Sequence, residues 1–236
     1  MKILTTNQRA CRLALLAAII TPLFYSCTAE PQLPPGIVIT SESTTHVHAV
    51  ISDLRVEDYP TLARIHALFT VYYKGQETTD EKLKALAQLR FTNLACVVLT
   101  DCRLITDRGI EDLSQIPTLT RLGLRQMAIT DAACDTMVRK MRLSRVNMPN
   151  CMNVTSAGLL KMAQSETLES LGFSVGQMTQ DEVLRIIRTA GPKMNRMDIE
   201  MAPSSEARLD LSVLRQAGER KGIMLYAVRN QQVRKL

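Results

Sequence analysis

The sequence predicts an α/β solenoid in which short strand–helix units stack side by side along the chain. A pattern of apolar residues starts again at positions 68, 94, 119, 143, 168 and 194, so successive copies are 24 to 26 residues apart. In each copy the first half alternates in polarity, as a strand does, and the second half has helical spacing. One strand and one helix cannot bury their own apolar faces, so the units must pack on one another.

The copy at residues 94–117 shows how one unit is built. Residues 97–99 alternate as a short strand with one buried face, and residues 110–116 place apolar side chains on one side of a helix. Thr106 and Asp107 precede that helix, and their side-chain oxygens are expected to cap its free backbone N–H groups. We therefore expect short parallel strands on the concave face of the solenoid and helices on its convex face.

The spacing LxxLxLxxCxxITDxGI in this copy, closely repeated in residues 143–162, resembles the cysteine-containing class of leucine-rich repeats. The resemblance covers roughly residues 68–200. It implies that Cys102 and Cys151 face the interior beneath their strands, and that the protein is a binding surface. The other copies have at this position Met127, Gly176 and Gln76. Some members of the family are recognition arms of eukaryotic ubiquitin ligases, but no F-box-like segment is present here.

The N-terminus has the organisation of a signal peptide. A positively charged start precedes residues 13–25, which are uncharged, mostly apolar and too short to span a bilayer comfortably. The end of this segment resembles a bacterial lipoprotein signal peptide, which implies a lipid on Cys27. An ordinary signal peptide or an uncleaved anchor is the alternative. The expected location is the cell envelope, lipid-anchored at the outer membrane or facing the periplasm if the cell is Gram-negative.

The segments outside the repeats predict a tether and two end caps. A polar, proline-bearing stretch follows Cys27, and an open stack needs a cover at each end. In order, the predicted segments are a signal peptide (1–26), a lipid-tethered flexible linker (27–44), an N-terminal cap (45–67) with Leu62, Ile65 and Leu68 at helical spacing, leucine-rich repeats (68–208), a C-terminal cap (209–228) and a loose basic tail (229–236).

Charge and cysteine content exclude some classes of protein. The net charge of +6 becomes +3 when residues 1–26 are removed. A net charge of +3 does not indicate a nucleic-acid-binding protein. Cys102 and Cys151 lie two repeats apart, about 10 Å, which is too far for a disulfide. We expect them to be buried thiols. Cys96 should point outward, as a plain surface cysteine or as a reactive thiol.

The sequence contains no pattern typical of an enzyme. It has no P-loop, no GxSxG and no dinucleotide fingerprint. His46 and His48 could chelate a metal, but no third ligand has suitable spacing. We therefore expect no cofactor, no metal and no catalytic activity.

The concave face is the candidate binding site. Its central arginines are expected to cluster, Tyr72 and Val98 to add apolar contact, and Gly123 and Gly172 to leave room for a ligand. Arginines beside an aromatic ring suit a carboxylate or phosphate group, although a merely solvated face is the alternative. The candidate residues are Tyr72, Val98, Arg121, Arg125, Arg145, Asn147 and Arg196.

These observations favour a non-enzymatic module that binds an unknown protein or an acidic ligand at the cell envelope. One alternative is a structural envelope scaffold that makes contact through its convex helices or its ends. Another is an intracellular recognition subunit similar to the ubiquitin-ligase repeat arms, which requires that residues 1–27 are not a signal.

Overall fold

The computed structural model describes residues 33–40, 46–52, 54–65, 67–202, 205, 208–229 and 232–236. The predicted signal peptide and Cys27 lie outside these residues. The strands are β1 (Ile37–Ile39), β2 (Val47–Ile51), β3 (Leu68–Lys74), β4 (Cys96–Thr100), β5 (Arg121–Arg125), β6 (Arg145–Met148), β7 (Ser170–Ser174), β8 (Arg196–Glu200), β9 (Met224–Arg229) and β10 (Gln232–Lys235). The helices are a 3-10 helix (Val56–Arg64), α1 (Asp80–Ala87), α2 (Asp107–Leu113), α3 (Asp131–Lys140), α4 (Ser156–Ala163), α5 (Gln180–Arg188) and α6 (Leu211–Lys221).

All ten of these strands form one sheet in chain order. Strands β2 to β9 are parallel, and β1 and β10 pair antiparallel at the two edges. In the described chain, an α-helix lies between each pair of neighbouring strands from β3 to β9. The chain is therefore an α/β protein with a mostly parallel sheet and a repeated strand–helix unit, as the spacing predicts.

The core lies between the sheet and the helices. In β4, Val97 and Leu99 are fully buried, and in α2, Ile110 and Leu113 are fully buried against them. The alternate strand residues, such as Val98, are only half-buried. We call the side of the sheet that carries these alternate residues the open face; it corresponds to the side predicted to be concave.

A side-chain ladder joins the starts of successive helices. Thr106 caps α2, because its Oγ1 accepts from the N–H of Arg108 at 3.2 Å. Asp107 does not cap its own helix, which corrects the expectation from sequence. Its carboxylate reaches the next unit instead, where the N–H and the hydroxyl of Thr130 donate to it at 2.8 and 2.6 Å.

The same pair of hydrogen bonds joins α1 to α2 and α3 to α4. The N–H and hydroxyl of Thr106 donate to Asp80 at 2.9 and 2.6 Å, and those of Thr155 donate to Asp131 at 2.8 and 2.6 Å. We call the set Asp80, Thr106, Asp107, Thr130, Asp131 and Thr155 the Asp–Thr ladder. It ties each helix start to the next one without using the core.

Different side chains continue this connection beyond α4. Ser156 stands where an aspartate would be expected, and its hydroxyl donates to Glu182 at 2.6 Å. Glu182 also caps α5 together with Thr179, in a capping box. Gln180 then accepts from the N–H of Asp210, the N-cap residue of α6, at 2.9 Å.

The ends of the sheet differ from the sequence expectation. β1 lies in the segment expected to be a flexible linker, and it pairs with β2. Leu68 begins β3 instead of extending a cap helix, since the residues that follow it are aromatic or β-branched and favour a strand. Residues 232–235, expected in a loose tail, form β10 and cover the free edge of β9. Among the described residues, no helix is long and apolar enough to cross a membrane.

Candidate functional site

The strand register arranges the predicted site residues in rows on the open face. Arg121 in β5 lies directly opposite Arg145 in β6. A second row brings together Tyr72, Val98 and, two strands further on, Asn147. The structure therefore places these five residues on one continuous part of the open face.

Arg121 and Arg145 form an unneutralised cationic pair. Neighbouring strands are about 4.8 Å apart, and like charges directly opposite each other destabilise a sheet. Within the part of the chain that the structure describes, neither guanidinium takes part in an ion pair. Arg145 is exposed, and Arg121 is half-buried with its Cζ 4.9 Å from the ring centroid of Phe69. The pair therefore presents two positive charges to solvent beside an aromatic ring.

Arg125 and Arg196, the other two predicted arginines, are neutralised by carboxylates on β8. Nη2 of Arg125 lies 3.3 Å from Oε1 of Glu200, although three strand steps separate the two residues. Nε of Arg196 donates to both carboxylate oxygens of Asp198 at 3.0 Å, and its guanidinium also lies 4.3 Å from the Tyr226 ring centroid. The hydrogen bond to Asp198 raises the pKa of Arg196.

A polar network fixes the partner of Arg125. The Ser174 hydroxyl donates to Glu200 at 2.7 Å, and the N–H of Asn150 donates to the same hydroxyl oxygen at 2.9 Å. Glu200 is thus held at the carboxyl ends of the strands, where it forms an ion pair with Arg125. Of the four predicted arginines, Arg121 and Arg145 are thus the two that have no carboxylate partner among the described residues.

The two glycines of the open face do not leave the expected room for a ligand. An added Cβ on Gly123 would lie 3.1 Å from Cγ1 of Val98, and one on Gly172 would overlap Oδ1 of Asn147. Side chains from the preceding strands therefore already fill these spaces. Val98 and Asn147 are packing partners of the glycines as well as members of the face.

An aromatic patch, which sequence reasoning missed, borders the cationic pair. It consists of His46, His48, Phe69 and Tyr72. The His46 and Phe69 rings meet edge-on with centroids 4.4 Å apart, and the His48 ring lies 6.3 Å from both Phe69 and Tyr72. The register of β2 and β3 shifts between Val47 and His48, which moves Phe69 out of the alternation of β3. A prediction that assumes strict alternation along β3 therefore could not place Phe69 on the open face.

The two histidines contribute to this patch as rings. No group of three or more His, Cys, Asp or Glu side chains in the described ranges is arranged to hold a metal ion. The arrangement offers aromatic surface and positive charge, which suit recognition of an anionic group next to apolar or planar surface.

The cysteines of the described chain are free thiols whose pKa is raised where burial disfavours the thiolate. Cys102, Cys134 and Cys151 are buried, which confirms the expectation for the first and third. Burial raises the pKa of Cys134 to about 12 and that of Cys151 to about 11. Cys96 is half-buried on the open face, and burial raises its pKa despite nearby Arg121. A raised pKa lowers the thiolate fraction and with it the reactivity.

Comparison with known proteins adds no relative from which a function could be taken. No model of a protein family matches the chain, and no curated protein has significant sequence similarity to it.

Proposed function

We propose that this protein is a non-enzymatic binding module that holds a carboxylate-bearing partner, a protein or another acidic ligand, on its open face. The proposal rests on one observation: Arg121 and Arg145 lie opposite each other, and in the described chain neither forms an ion pair with a carboxylate. Two like charges side by side on a sheet cost stability, and in the described part of the chain no ion pair with a carboxylate offsets this cost. A ligand carboxylate placed between the two guanidiniums would remove the repulsion and gain charge-assisted hydrogen bonds.

The neighbouring aromatic patch supports the same role. Tyr72 is 37% exposed, which is high for a large ring in a folded protein. Exposed aromatic rings and arginines are the residue types enriched at binding hot spots. The ligand therefore combines a negative group, which meets the arginines, with apolar or planar surface, which meets Tyr72 and Phe69.

The charges on the helical side favour the open face over a scaffold contact through the helices. Glu111 forms an ion pair with Lys140, and Asp135 accepts from Lys161 at 2.7 Å. These side chains satisfy one another across neighbouring helices. The middle of the helical side thus has less unmet charge to offer a partner than the Arg121–Arg145 pair.

We further propose that the units are leucine-rich repeats of the cysteine-containing class and that Cys27 carries a lipid anchor at the cell envelope. The repeated LxxLxLxx spacing, the buried Cys102 and Cys151 and the alternation of strands and helices support the first. The charged start, apolar segment and cysteine of residues 1–27 support the second.

Charge reversal at Arg145 tests the binding face. We expect Arg145→Glu to abolish retention on immobilised polyglutamate and polygalacturonate at low salt, because the carboxylates then meet a negative side chain. The new Glu lies opposite Arg121, so the free energy of unfolding should stay the same or rise by about 0.2–1 kcal/mol. Loss of binding without loss of stability would show that Arg145 serves recognition.

A matched control is Arg188→Glu, which makes the same change in net charge on the exposed end of α5. It should leave retention on both polymers intact. Equal losses in the two variants would mean that only overall charge matters, and unchanged retention of Arg145→Glu would exclude the open face as the site.

A further inference from the structure

In the unit that contains β7, the residue three positions after the last buried strand residue is a glycine, and its neighbour Val175, 1% exposed, fills the core instead. Cys102, Met127 and Cys151 occupy the equivalent position in three other units and are buried. Gly176 stands there after β7, with φ +54°, and a Cβ added to it would meet nothing within 4 Å. In contrast to Gly172, which faces a filled space, Gly176 faces an open one.

A cavity of about 280 Å³ opens beside Gly176, between the loops that follow β6 and β7. Its lining includes the buried side chains of Met148, Leu159 and Phe173, and Met152, 72% exposed, also borders it. The glycine carbonyl accepts from the Ser205 hydroxyl at 3.1 Å and from Arg208 at 2.9 Å. These bonds hold the loop in place, so the cavity is part of the folded structure.

Among the described residues, Glu182 is the only charged one that lines this cavity. Hydrogen bonds from Ser156 and Thr179 lower the pKa of its carboxyl, so the group is ionised at neutral pH. Oε1 accepts one hydrogen bond, from Ser156, and Oε2 accepts from Thr179. A carboxylate oxygen has room for a second donor. Since the described lining carries this carboxylate and no cationic side chain, the site favours a positive ligand over an anion.

We propose that this cavity binds a small organic amine, with its apolar body against Phe173, Leu159 and Met148 and its ammonium group on Glu182. The volume restricts the body to about the size of a single ring or a short alkyl chain. The site is separate from the open face and of opposite charge preference, so it goes beyond the proposed function and does not depend on it.

Three ring compounds of the same size test the charge preference. Benzylamine, benzyl alcohol and benzoate are titrated into the protein while the methyl resonances of its methionines are followed by NMR. We expect benzylamine to bind most tightly and to shift the signals of Met148 and Met178, benzyl alcohol to bind at least about tenfold more weakly, and benzoate not to bind. Binding of benzoate as tightly as benzylamine, or no binding of benzylamine, would overturn the proposal.

Two variants test the position of the ligand. Gly176→Asn tolerates the positive φ and fills the open space, so benzylamine binding should be lost. Gly75→Asn, at another positive-φ glycine with open space around it, is the matched control and should bind as the wild type does. Glu182→Gln keeps the capping box and should reduce benzylamine affinity to that of benzyl alcohol. Unchanged binding in Gly176→Asn, or loss of binding in the Gly75 control, contradicts the assignment.

Discussion

At the scale of single residues, glycine serves two opposite purposes in this chain. Gly109 and Gly158 sit in helices where an added Cβ would overlap the carboxylates of Asp80 and Asp131. The glycine of the repeated ITDxGI pattern is therefore explained by an aspartate in the preceding unit. Gly176 has no such neighbour; its φ of +54° lies in the left-handed region that favours glycine.

Gly158→Ala tests this account. In an ordinary helix interior the change stabilises by about 1 kcal/mol, but here we expect a loss of about 1–3 kcal/mol because the new methyl group displaces the Asp131 carboxylate. In an Asp131→Ala background the same substitution should be neutral or stabilising. Urea unfolding of the four proteins of this double-mutant cycle measures the difference.

A Gly158→Ala penalty of the same size in both backgrounds would count against the carboxylate as its cause. The space would then be limited by the α3 backbone itself, which lies 3.3 Å from the added Cβ at the Asp131 Cα.

At the scale of elements, the helix starts are where sequence reasoning both worked and failed. Thr106 could be predicted as a cap because an N-cap hydrogen bond is local, to a residue two positions on. The partner of Asp107 could not, because Thr130 lies in the next unit and only the packing of helices brings it within reach. Local chemistry is readable from spacing, whereas contacts between units need the three-dimensional register.

The capping carboxylates predict a loss of stability in acid. Hydrogen bonds from Ser156 lower the pKa of Glu182 below its ordinary 4.5, and those from Ser212 lower the pKa of Asp210 below 3.8. The unfolded chain therefore takes up these protons at higher pH than the folded one. The stabilisation is complete above about pH 4.5 and is lost as the pH falls through the lowered values.

The double variant Glu182→Gln/Asp210→Asn should consequently show a shallower fall in the free energy of unfolding between pH 5 and pH 3 than the wild type. Chemical denaturation at a series of pH values measures this slope. Glu169→Gln changes an exposed carboxyl in the turn before β7 and should keep the wild-type slope. Identical slopes in all three proteins would contradict the prediction.

At the scale of the whole molecule, the repeat period was enough to predict an alternating α/β stack and the rows of its open face. The juxtaposition of Arg121 and Arg145 follows from that period alone. The neutralisation of Arg125 does not, because Glu200 reaches it across three strands. The position of Phe69 on the open face could not be predicted for another reason. A register shift between β2 and β3 breaks the alternation that sequence reasoning assumes.

The proposed tether is also a property of the whole molecule. We expect the mature wild-type protein to begin at Cys27, to carry acyl chains and to partition into the membrane fraction, and Cys27→Ala to be unprocessed or soluble. Intact-mass spectrometry with detergent phase partitioning measures both. A full-length, unmodified wild type in the soluble fraction would contradict the envelope proposal and favour an intracellular recognition subunit.

The Asp–Thr ladder has a consequence for how such a chain can change in length. A segment from Asp107 to Thr130 has the acceptor at its first residue and the matching donor at its last, so it carries one complete link between successive helix starts. A tandem duplication of that segment would create a junction whose hydrogen bonds are already matched. The joint between Ser156 and Glu182 uses other chemistry, so it would not match a duplicated Asp–Thr unit. Growth or shrinkage by whole units is thus compatible with the N-terminal part of the array, while its C-terminal part stays constant.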